Sequence, residues 1–204
     1  MLKEIFIELA GKFSNNTALI DSSWEEIRQA YSESHRHYHN LSHLHNLVTL
    51  LNEVSNEIGD WEMVLFAVFY HDIIYRSTSK KNEEKSAALA RHRLMELGIE
   101  PGRVEKCCRM ILATKAHTQA GDSDTDYFTD ADLSILGQST EVYTAYYKQV
   151  RKEYFIYPDF VYNPGRKKVL QHFLQMNPIF KTDYFFNKFE AQAKQNLIKE
   201  MEML

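Results

Sequence analysis

The chain has 204 residues, 44% of them apolar, a formal net charge of −4 and a pI near 6.1. That length and apolar share allow a sizeable core, read here as a single domain spanning 1–204. The absence of a basic excess argues against a nucleic-acid polymer as partner.

Only seven Gly and four Pro are present, so the segments between breakers are long, the pattern of an all-α protein. The two cysteines, Cys107 and Cys108, are adjacent and too few for a disulfide framework. The first residues carry Lys3, Glu4, Glu8 and Lys12 and lack a leader's apolar run. No apolar stretch approaches the roughly 20 residues of a membrane span. These features together predict a cytoplasmic protein without a membrane partner.

Helical spacing marks residues 2–13 and 22–31. Residues 35–45, HRHYHNLSHLH, hold five of the nine histidines, and Asn40 or Ser42 is placed to cap a helix there. From Leu44 the apolar positions Leu47, Val48, Leu51 and Val54 form a helical stripe. His43, four residues before Leu47, lies at the edge of that stripe, whereas His45 leans to its polar side. Asp60 can cap the next segment, WEMVLFAVFYHDIIY (61–75), which is apolar almost all round and therefore reads as a buried helix containing His71 and Asp72.

A polar loop, RSTSKKN, follows. Asn82 is read as the cap of a helix with acidic residues in its first turn and Gly98 at its stop. Pro101 begins another helix running to about Lys115. Residues 117–129, HTQAGDSDTDYFT, are the least regular stretch, and a short helix is expected from Ala131. Asp122, Asp124 and Asp126 imitate the start of a calcium loop. The Gly and Glu such a loop needs are replaced by Tyr127 and Leu133, so they read as a solvated acidic loop or lid. Residues 139–157, 164–176 and 184–203 read as three further helices punctuated by Pro158, Pro164 and Pro178.

Chemistry concentrates at His71-Asp72. A carboxylate in an apolar helix carries a large desolvation cost unless a cation or hydrogen bonds offset it, and histidine is the commonest metal ligand. A divalent ion would account for both placements. Adjacent helical residues point about 100° apart and can share one ion. Further ligands must then come from facing segments. His43, 28 residues upstream, is one candidate. An aspartate of TDADLSIL, Asp132 or Asp130, is the other.

The ordered set His43, His71-Asp72 and a distal Asp resembles the HD superfamily of metal-dependent phosphohydrolases. More narrowly, the chain is similar to a group of uncharacterised predicted members. The similarity runs through YHNLSHL (38–44), FYHDIIY (69–75), NEEKSA (82–87), DADLSILG (130–137), RKEY (151–154) and GRKKVL (165–170). The resemblance implies a helical bundle of the HD-domain type with His43, His71, Asp72 and Asp132 as metal ligands. Asp132 is favoured over Asp130 because it follows an Ala. One ion or two, drawn from Mn, Fe, Zn, Co, Ni or Mg, would serve hydrolysis of a small phosphate ester such as a nucleotide or phosphorylated metabolite.

Members with two metals carry extra histidines between the pair and the distal Asp. His117 fits that place, while His92 sits among Arg91 and Arg93 and reads as surface. His39 and Asp130 are further candidates to support the ligands or a second ion. Glu84, Arg76, Arg151 and Arg166 are candidates for activating water or binding phosphate, since guanidinium matches phosphate oxygens in pairs. No P-loop, GxGxxG, CxxC, HExxH or ExxH is present. Two alternative readings remain: a metal-containing regulatory module without turnover, and a di-iron oxygenase.

Overall fold

The structure, a computed structural model, describes residues 1–204. It is all-helical: α1 (Leu2–Gly11), α2 (Thr17–Ala30), α3 (Leu41–Asn52), α4 (Trp61–Tyr70), α5 (Asn82–Glu96), α6 (Pro101–Ala113), α7 (Ser123–Leu133), α8 (Thr140–Glu153), α9 (Asp159–Gln175) and α10 (Asp183–Met203). Two 3₁₀ turns, Ser55–Glu57 and Ser134–Gly137, join them. No helix is long and apolar enough to cross a membrane. The chain divides into two compact units, Met1–Thr129 and Asp130–Leu204.

In the first unit α4 is the central element. Every residue from Met63 to Tyr70 is buried, as its uninterrupted apolar sequence predicts. It packs against α3, α5 and α6. Phe6 of α1 meets Phe69 edge-on at 5.2 Å and Trp24 of α2 at 6.1 Å. Rings of this size contribute roughly 1.5–3 kcal/mol each on full burial. Both cysteines of α6 are buried thiols, and desolvation pushes Cys107 well above its ordinary pKa.

Three expectations about this unit are corrected. The helix read over 61–75 stops at Tyr70, so His71 is its C-cap and Asp72 lies in the following turn. Asn82 does not cap α5, because its side chain is turned back to the Arg76 backbone, accepting from Arg76 N–H and donating to Arg76 C=O. The acidic stretch is not a solvated loop. Asp122 accepts from Thr125 N–H and the Thr125 hydroxyl, and α7 starts at Ser123. Asp124 and Asp126 are buried in its first turn. Asp124 holds Gly59 N–H, Asp60 N–H and the Lys106 ammonium. Negative charge at a helix N-terminus is favourable, which gives the sequence run a structural reason.

In the second unit α10 packs on α9 and on the 3₁₀ turn 134–137. A Cβ at Gly137 would overlap Phe189, so only glycine permits that approach. Asn196 donates to Leu136 C=O and Gln138 C=O, both at 2.8 Å. Helix α9 begins at Asp159, before Pro164, which sits inside it. The missing N–H is tolerated on an exposed face, so this proline does not start the helix as expected.

Candidate metal centre

His43 is carried by α3, whose start is fixed by Asn40 accepting from Ser42 N–H. The apolar stripe turns the His43 ring inward, and the residue is 4% exposed. His45, two positions on, is half-buried, as the stripe predicts.

His71 is 1% exposed at the end of α4. Its Nδ1 lies 2.9 Å from the carbonyl of Val68. A carbonyl only accepts, so Nδ1 carries the proton and Nε2 of the neutral ring presents a lone pair. That Nε2 is 3.2 Å from His43 Nε2 and 3.1 Å from Asp72 Oδ2.

An electron pair facing a carboxylate at this range is repulsive unless a cation or a proton lies between them. The separations also suit shared coordination. Two ligand atoms about 2.1 Å from one ion lie about 3.0 Å apart at a right angle and about 3.4 Å apart at the tetrahedral angle. The His71 Nδ1–H···O=C bond is the usual means of fixing a ligand imidazole.

Asp132 lies on the last turn of α7, which runs unbroken from Ser123. Phe128, one turn earlier on the same helix face, meets the His71 ring edge-on at 5.7 Å. His43, His71 and Asp132 form a group that could hold a metal ion, their ligand atoms all within 4.8 Å of one another. Asp72 sits beside the group, its side chain 17% exposed. His39 follows outside it, with Nε2 3.9 Å from Asp72 Oδ2 and its ring stacked on Tyr75 at 4.2 Å.

The remaining candidates are placed elsewhere or are otherwise engaged. Asp130 is fully buried and accepts from Lys181 N–H, Thr182 N–H and the Thr182 hydroxyl, while pairing with the Lys181 ammonium at 2.9 Å. It holds the N-terminus of α10, which accounts for its burial without a metal. His117 takes a left-handed backbone (φ 54°) just past α6 and is not one of the grouped ligands. His92 is exposed near Glu96.

Glu84 is exposed and paired with Lys115, which holds its carboxyl below the usual range. Arg76 pairs with Glu33 at 2.9 Å on the surface. Arg151 pairs with Asp159 at 2.7 Å. Arg166 is buried and grips Glu200 through Nε and Nη2 at 2.7 and 2.9 Å, with Tyr143 donating to the same carboxylate. Its guanidinium is thereby committed to packing α9 against α10.

Sequence reasoning missed the residues that shape the turn after His71. Ser86 takes Ile74 N–H on its hydroxyl oxygen and donates to Ile74 C=O. Asn82 brackets Arg76 in the same way. Both belong to NEEKSA, where attention fell on Glu84, the charged member, instead of the two small polar ones. Comparison with protein-family models, with curated proteins and with solved structures finds no match to this chain.

Proposed function

We propose that the chain is an HD-superfamily, metal-dependent phosphohydrolase of the HD-domain bundle type, with His43, His71, Asp72 and Asp132 holding a divalent ion. The observation that carries this reading is the meeting of two buried imidazoles, His43 and His71, with Nε2 atoms 3.2 Å apart and the His71 Nδ1–H spent on Val68, beside the half-buried Asp132 in one group of ligand atoms within 4.8 Å of one another. The ordered motifs around those residues point the same way.

A divalent ion held there supplies Lewis acidity toward a phosphoryl oxygen and a bound water acidic enough to act as hydroxide near neutral pH. The chain's own groups do the rest. The buried histidines fix the reacting position and exclude bulk water. Asp72 and His39, both partly exposed, stand 3.9 Å apart beside the buried histidines, close enough for a protonated His39 to steady the carboxylate electrostatically. Mixed His/Asp ligation suits Mn, Fe, Co, Ni or Zn. The substrate is taken as a small phosphate ester, a nucleotide or phosphorylated metabolite, and the site of action as the cytoplasm.

The test is metal analysis of the purified protein, followed by a screen of phosphomonoesters, phosphodiesters and nucleotides with added divalent ions. His71→Ala and Asp72→Ala are expected to lose both metal and phosphate release. Metal retained in both variants refutes the ligand assignment. Bound metal with no phosphate released from any substrate refutes the hydrolase reading in favour of a metal-bearing regulatory module or an oxygenase.

A further inference from the structure

Arg36 lies in the connection between α2 and α3, and its side chain is 1% exposed. No buried carboxylate accompanies it. Glu33, on the surface, reaches only Nε, at 3.4 Å. The buried charge is met instead by backbone carbonyls and ring faces. Nη1 donates to Asp72 C=O at 2.6 Å and to His39 C=O at 3.3 Å, and Nη2 donates to Ile73 C=O at 2.9 Å. The guanidinium lies over the rings of Tyr31 at 4.9 Å and Tyr75 at 5.6 Å.

The identity of those three carbonyls matters. Two belong to the turn directly after His71, and the third precedes the helix that carries His43. The Tyr31 hydroxyl accepts Asp72 N–H at 3.1 Å, so that residue is held through both its N–H and its C=O. A cation has been taken out of water, at a large desolvation cost, to join the two histidine-bearing segments.

We propose that Arg36 is a positioning residue that sets the His43–His71 separation and the direction of the Asp72 carboxylate. This rests on the reading of those residues as metal ligands. Lysine keeps the charge but lacks the planar fork that reaches both segments together. Removing an outer group of this kind weakens metal binding by about 10–100-fold.

The test is a Co(II) titration of wild type, Arg36→Lys and a control, Ile99→Ala, a buried site at the α5–α6 connection that probes general loss of stability. Arg36→Lys is expected to bind Co(II) about 10–100-fold more weakly and to shift the visible Co(II) absorption band at saturation, because the ligands are re-aimed. Ile99→Ala is expected to keep the wild-type affinity and band. If Arg36→Lys does not fold, Tyr31→Phe, which deletes only the hydroxyl on Asp72 N–H, is expected to move affinity and band in the same direction. Wild-type affinity and band in the folded variant overturn the inference, as does an equal loss in Ile99→Ala. A wild type that takes up no Co(II) refutes the metal centre itself, a result distinct from either.

Discussion

An ion bound by buried groups of the native state, and by nothing comparable in the unfolded chain, must raise the melting temperature. Binding stabilises the native state by RT ln(1 + [L]/Kd), about 2.7 kcal/mol at one hundred times Kd. For a chain of this size each kcal/mol moves Tm by about 2–4 °C, so the shift is roughly 5–11 °C. His43→Ala removes one of the three grouped ligand atoms, leaving His71 Nε2 and Asp132. It also removes a ring packed 4.9 Å from Tyr38 and 5.3 Å from His71, so its apo form melts lower. Reading each protein against its own chelator-treated baseline cancels that packing loss. The assay is calorimetry with Mn(II), Co(II), Ni(II) or Zn(II) at matched concentrations. Wild type is expected to shift by the stated amount with at least one ion, and His43→Ala by less than about 2 °C. Equal shifts in both proteins would refute the placement of the ion at His43.

The two aspartates of DADL should separate cleanly. Asp132→Ala is expected to lose metal uptake, whereas Asp130→Ala keeps the metal ligands and loses roughly 3 kcal/mol or more, since it strips a buried ammonium and the start of α10 of their acceptor. Urea titration beside metal analysis checks both. Arg166→Met leaves Glu200 buried with only Tyr143 donating, and should cost about 3–5 kcal/mol in the same assay. Burial works to raise the Asp124 carboxyl, but the Lys106 ammonium and the N–H groups of Gly59 and Asp60 outweigh it and hold the pKa below the ordinary value. A lowered folded-state pKa adds stability above the unfolded value of about 3.9 and loses it as pH falls. Asp124→Asn should therefore be less stable than wild type at neutral pH, with the gap narrowing as pH falls below about 4.

The sequence made some of this legible through periodicity. The stripe from Leu44 to Val54 separated His43 from His45, and the unbroken apolar run marked α4 as buried. Asn40 and Asp60 were readable as caps because each is a local device within three residues of its partner. The end of α4 was not readable. No Gly or Pro stops it, and the turn at His71 is shaped by Tyr31, Arg36, Asn82 and Ser86, groups 6 to 41 residues away in the chain. Asp130 looked like a ligand because its partners at Lys181 and Thr182 lie more than 50 residues downstream. The burial of Arg36 has no local signal, because its partners Asp72 and Ile73 lie 36 and 37 residues downstream. Its role depends on three carbonyls that no sequence pattern reveals.

The most direct test of the account is crystallography of the metal-loaded protein, with anomalous data collected at the absorption edge of the bound ion. The account predicts one strong anomalous peak within bonding distance of His43 Nε2, His71 Nε2 and a carboxylate oxygen of Asp132. A metal-loaded crystal whose only peaks lie away from those atoms, with His71 Nε2 and Asp72 bridged by nothing but a proton, would contradict it.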